Sequence, residues 1–151
     1  MLVGSKQALA ITGLSADQLR EWTGRRGLVR PDIPAQGKGT QARFSWQTLL
    51  VLLIARTLKE DFHIELESYR EHLIDLQSRL RGQPFHGLGE SAVIFAPKHL
   101  AQLSDISAAA ATHDTSAIIV ALRPYLMTIV SGLGAVEPLV QLPLFRAVGL
   151  R

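Results

Sequence analysis

The chain has 151 residues, a formal net charge of +3, 47% hydrophobic residues and no cysteine. That length suits one compact domain, or one small domain with an appendage. The missing thiols exclude a disulfide framework, a thiolate metal site and a cysteine nucleophile. The longest apolar stretches, residues 49–55 and 117–122, fall far short of the ~20 residues that span a bilayer, and Ser5, Lys6 and Gln7 interrupt any leader-like run, so a soluble cytoplasmic protein without membrane contact is expected.

The charge is unevenly spread. Residues 1–60 hold nine positive and four negative side chains, residues 61–90 three and six, and the remainder four and three. A basic block followed by an acidic one fits a head that meets a polyanion and a scaffold that does not.

In chain order, Gly4 or Ser5 can cap a short helix over residues 6–11, with Ala8, Leu9 and Ile11 on its apolar side. Thr12-Gly13-Leu14 forms a tight turn. Ser15 with Gln18 three residues on makes a capping box, which starts a second helix over residues 16–23 with Leu19 and Trp22 inward and Gly24 at its end. Leu28-Val29 reads as a short edge strand limited by Pro31, Gln36-Gly37-Lys38-Gly39-Thr40 as a flexible basic tip, and Ala42-Arg43-Phe44 as the returning strand of a hairpin. Ser45 caps a third helix over residues 46–60, apolar nearly all round and therefore central. Asp61-Phe62-His63 breaks it. A fourth helix is expected over residues 64–80, with Leu66, Tyr69, Leu73, Leu76 and Leu80 inward and Glu65, Glu67, Glu71, Asp75 and Gln77 outward.

Residues 82–90 are rich in Gly and Pro and read as a linker. Beyond them a strand is expected at 92–95, a helix over 98–111, the strongest strand at 117–122, a helix over 125–133 favoured by Pro124, and an irregular apolar tail with Pro138 and Pro143. The fold class is thus mainly α with small β elements. A head over residues 1–81 precedes the linker and a small α+β segment over 91–151.

Two short helices about a Gly turn make a helix-turn-helix, a weak signal by itself. The order of Thr12-Gly13-Leu14-Ser15, Leu19-Arg20, Trp22, Gly27-Leu28-Val29-Arg30-Pro31 and Phe44-Ser45, followed by the apolar third helix and Phe62 and Ile64, is similar to the MerR family. The likeness covers roughly half the chain. It departs from the usual pattern in one extra residue near Gly24, in Asp17 where a basic residue is usual, and in Glu21 where Tyr is often found.

The resemblance implies a winged helix-turn-helix transcriptional regulator that binds double-stranded DNA as a dimer, with half-sites about one turn apart. Ser15, Gln18 and Arg20 would meet bases or phosphates. Arg25, Arg26, Arg30, Lys38, Thr40, Gln41 and Arg43 would track phosphates or the minor groove. About six neutralised phosphates would give a log–log salt slope near −5. Asp17 and Glu21 weaken the second helix electrostatically and shift the expected affinity toward Arg25, Arg26 and the wing.

A different class of function keeps the same head but uses the segment from Ala92 to bind RNA polymerase or another protein, as a prophage, antitoxin or nucleoid-type accessory factor. No cofactor is called for. The histidines at 63, 72, 86, 99 and 113 have no metal spacing, Glu67 and Glu71 suit a solvated face, and Ser104, Asp105 and Ser116 with His99 and His113 form no recognisable nucleophile and base, so neither a metal site nor an enzyme is expected.

Overall fold

A computed structural model describes residues 1–109 and 116–134. The described residues form six helices and two small antiparallel sheets. The apolar tail with Pro138 and Pro143, the end of the helix expected over 98–111, and His113 lie outside them.

Strand β1 (Val3–Gly4) runs directly into α1 (Ser5–Thr12) and pairs with β2 (Arg43–Phe44). Gly4 is the N-cap of α1 and supplies no side-chain cap. Gly13 closes α1 at φ +70°, and a Cβ there would stand 2.3 Å from Nη1 of Arg56. Glycine is required twice over, because that guanidinium donates to Thr12 O at 2.8 Å and ties the end of α1 to the third helix.

Ser15 then caps α2 (Ala16–Arg20) in a complete capping box: Ser15 Oγ accepts from Gln18 N at 3.1 Å and Gln18 Oε1 accepts from Ser15 N at 3.0 Å. The expected stop at Gly24 does not occur. The helix continues through a π-turn over Glu21–Arg25, closed by Arg26 N donating to Glu21 O at 2.8 Å, and the chain reverses at Gly27, φ +58°. A widened turn takes up one extra residue, and the surplus near Gly24 is absorbed in this way.

Leu28-Val29 is buried but is not a strand. Both amides donate to the carbonyl of Trp22, at 2.8 and 3.3 Å, so they cannot serve a ladder. The returning segment pairs instead with β1 and, through an isolated bridge, with Ile33.

Helix α3 (Trp46–Glu60) starts at Ser45, whose hydroxyl accepts from Thr48 N, and residues 48–55 and Leu58 are buried. Its apolar circumference is explained by neighbours on several sides: α1, the helices before and after the linker, and β2. The expected fourth helix begins later, as a 3-10 turn Leu66–Tyr69 leading into α4 (Arg70–Leu80). His72 and Gln77 on α4 are buried, the second against expectation.

The residues expected as a linker are packed. A 3-10 turn Phe85–Leu88 buries Leu88, and Phe85 meets Trp46 edge-on with ring centroids 5.0 Å apart. The second sheet has the order β4-β3-β5, all antiparallel, from β3 (Ser91–Ala96), β4 (His99–Asp105) and β5 (Ile118–Ala121).

β4 replaces most of the helix expected over 98–111; among the described residues of that span only the short α5 (Ile106–Ala109) is helical. The residues alternate there: Ala101 and Leu103 join the main core while Leu100 and Gln102 face out. That period of two is a strand's. α6 (Arg123–Leu133) carries Pro124 in its first turn and ends at Gly134. One apolar cluster runs from Val3 through α3 and α4 to Leu122 and Ile129.

α6 crosses α1 closely. A Cβ on Gly132 would lie 2.4 Å from Cγ1 and 3.2 Å from Cδ1 of Ile11. Gly132→Ala is therefore expected to lose about 1–3 kcal/mol to overpacking, offset by up to about 1 kcal/mol of helix propensity. Thermal unfolding should show net destabilisation, and adding Ile11→Ala should cost less than it does in the parent.

Candidate nucleic-acid interface

The wing, residues 30–43, is held at its base by side chains that no sequence spacing links. Gln77 Oε1 accepts from Arg30 N at 3.0 Å, and Gln77 Nε2 donates to Arg30 O at 2.6 Å and to Thr48 Oγ1 at 3.1 Å. Thr48 Oγ1 donates in turn to Asp32 Oδ2 at 2.7 Å, which also accepts from Ser45 N at 2.6 Å. The Asp32 carboxylate is thereby occupied. The opposite limb is fixed by Arg43, whose carbonyl accepts from Asp32 N and Ile33 N and whose amide donates to Ile33 O. The tip is ordered by its own bonds, since Thr40 Oγ1 accepts from Gln36 N and donates to Gly37 O.

Two of the expected contact residues reach the start of α1. A Cβ on Gly4 would meet Gln41 Oε1 at 3.3 Å and Arg43 Nη1 at 3.6 Å, so both side chains lie over the uncapped N-terminus of α1. Arg20 and Ser5 line a groove of about 250 Å³ together with Leu9, Leu19, Ala42 and Phe44. Arg20 reaches Asp17 at only 3.6 Å, with its side chain 78% exposed, an ion pair that water and salt largely screen. An uncapped helix start with the Arg43 guanidinium over it is an arrangement suited to a phosphate.

Ser15 and Gln18 use their acceptor oxygens in the capping box. The Ser15 hydroxyl proton and the Gln18 amide protons remain as donors beside it. Arg25, Arg30 and Lys38 are exposed, the last at the wing tip.

Arg26 is not with them. Its guanidinium reaches Glu65 Oε1 at 3.2 Å and Glu67 Oε2 at 3.4 Å, and only 21% of its side chain is exposed. The π-turn carries Arg26 toward the 3-10 turn before α4, so Arg25 and Arg26 do not act as a pair. On the outward side of α2, Asp17 and Glu21 stand among Arg20, Gly24 and Arg25 along one shallow depression, which leaves that face without net charge.

Sequence reasoning missed Asp32, Thr48 and Gln77 as the residues that position the wing. Trp22, expected in the core, is fully buried with Lys59 Nζ 5.8 Å from its ring centroid. Among the described residues no group of three or more His, Asp or Glu side chains gathers, and no helix is long and apolar enough to cross a membrane. No protein-family model matches the chain, and no curated protein matches it.

Proposed function

We propose that this chain is a transcriptional regulator that binds double-stranded DNA, using α1, α2 and the wing as a winged helix-turn-helix of the MerR kind, and that it does so as a dimer. The observation that supports the reading best is the placement of Gln41 and Arg43 over the uncapped start of α1, with Arg20 and Ser5 lining a groove beside it. A phosphate held there would anchor α2 beside the major groove with the Ser15 and Gln18 donors leading. Arg25, Arg30 and Lys38 would follow the flanking backbone. Arg26 is withdrawn from the proposed contacts and assigned to the clamp with Glu65 and Glu67.

Fluorescence anisotropy with genomic fragments across a salt series tests this. Binding should weaken steeply as salt rises, with a log–log slope near −5 if about six phosphates are neutralised. An intact protein that shows no salt-dependent binding to any fragment refutes the proposal.

Asp17 and Glu21 on the outward side of α2 oppose a polyanion. Under the DNA reading, Glu21→Arg should raise affinity several-fold and steepen the slope by about one, since it adds a phosphate-seeking charge. The same two carboxylates favour a second reading, in which the segment from Ala92 holds a protein partner and the head is retained without tight DNA binding. Removing Lys38 and Arg43 abolishes function under the first reading and spares partner capture under the second.

A further inference from the structure

We infer that the outer edge of β5 is a self-association surface, on which a second copy of this chain pairs antiparallel to join the two three-stranded sheets into one. The hydrogen-bond phase of the strand is the starting point. Leu122 N donates to Ser91 O at 3.0 Å, so the backbone of Leu122 faces β3. In an antiparallel ladder the facing alternates, so Val120 opposite Val93 and Ile118 opposite Phe95 also bond inward. Ile119 and Ala121 then present their N–H and C=O groups outward, and no described residue pairs with them.

The two edges of the sheet differ. β4, at the far edge, is entered through Pro97-Lys98, ends in Asp105 and carries a register shift against β3 between Ile94 and Ala96. Charge, proline and irregular register are the means by which an edge is kept from pairing. Arg123-Pro124 close β5 on its far side at the start of α6, but the strand itself carries no charge, proline or shift: residues 117–122 read Ala-Ile-Ile-Val-Ala-Leu, the pairing with β3 is regular, and Ile119 is 41% exposed.

The absence of charge also selects the occupant. A two-fold axis sets like against like, so any charged residue near the axis would meet its own charge. A strand built for a different protein can use charge to choose it; this one is apolar throughout. The two-fold that sets Ile119 opposite its own counterpart also sets Ala117 opposite Ala121 and Ile118 opposite Val120. The outward groups of Ile119 and Ala121 then fall into bonded pairs, and the exposed Ile119 side chain covers its counterpart on the same face.

The inference names a surface for the dimer proposed above, but it does not depend on DNA binding and is read without DNA. Sedimentation equilibrium of the full chain should give twice the mass of one chain, with slowed amide exchange at Ile119 and Ala121. Ile119→Lys and Ile119→Glu should each sediment as single chains with the parent's circular dichroism. An equimolar mixture of the two should recover the doubled mass, because Lys then faces Glu. A parent chain that stays single across the micromolar range overturns the inference. So does a dimer that both variants leave intact, and so do two single-chain variants that fail to recover on mixing. Salt-dependent DNA binding by a single-chain variant would keep the DNA reading and remove only its dimer, while the loss of the doubled mass would still assign the surface.

Discussion

Replacing Arg20 and Arg43 together by alanine is expected to weaken duplex binding at least about tenfold and to bring the salt slope from near −5 to near −3, because each phosphate contact removed reduces the slope by about one. The tenfold figure is conservative: a charge-assisted hydrogen bond contributes roughly 1.5–3 kcal/mol, and about 1.4 kcal/mol is a factor of ten. Both side chains are exposed, and Arg43 pairs with β1 and Ile33 through its backbone alone, so the fold should persist. Unchanged circular dichroism checks that. Arg25→Ala should lower the slope by about one. Arg26→Ala is the contrast: its guanidinium is held by Glu65 and Glu67, so its loss should leave the slope where it was. A double variant that binds as the parent does, with the same slope, would remove both Arg20 and Arg43 from the interface.

Gln77→Leu is expected to lower stability by about 2–4 kcal/mol, one of the larger effects available outside the apolar core. Leucine fills a similar volume but leaves Arg30 N–H and Arg30 C=O without the partner they have now, while Thr48 Oγ1 keeps Asp32. Each orphaned group costs roughly 1–3 kcal/mol when buried. The Arg30 backbone is only part-buried, so water recovers a share of the loss, and the expected total stays well under the sum. Urea unfolding should show a lower midpoint at unchanged slope, and amide exchange at Arg30 should quicken. Gln77→Glu keeps the acceptor for Arg30 N but sets a buried carboxylate oxygen against Arg30 O, so it should be no milder than leucine. A midpoint unmoved by Gln77→Leu would mean that the wing does not depend on this tie. The position of the wing matters to the proposed function because Gln41 and Arg43 reach the start of α1 only while the limb that carries them is anchored.

The elements that depend on neighbours in sequence were legible there. The Ser15 and Gln18 box, the Gly13 turn, the Ser45 cap, the apolar α3 and the first-turn Pro124 of α6 each follow from residues within four positions of one another. Periodicity marked Trp22, Leu66, Leu73, Leu76 and Leu80 as core, and all five are buried.

What failed was whatever a distant partner decides. Leu28-Val29 has strand composition, but the carbonyl of Trp22 takes both amides, and β2 found its partner at Val3–Gly4, some forty residues earlier. The stretch over 98–111 reads in sequence as a helix with an Ala-rich end, but its residues His99–Asp105 form a strand. As β4 it bonds to β3 across a hairpin and covers α4, a tertiary gain that outweighs the few tenths of a kcal/mol per residue at stake in propensity.

The same division runs through the candidate interface. Composition and order alone singled out a basic head, a capped second helix and a basic wing. Only the tertiary structure could take Arg26 away to Glu65 and Glu67, bring Arg43 and Gln41 over Gly4, and turn Gln77 from an outward residue into the tie that holds the wing. Local hydrogen bonds and a helical period are written within a few residues. Side-chain direction after a π-turn, and the partner of a buried amide, are settled by what packs from elsewhere in the chain.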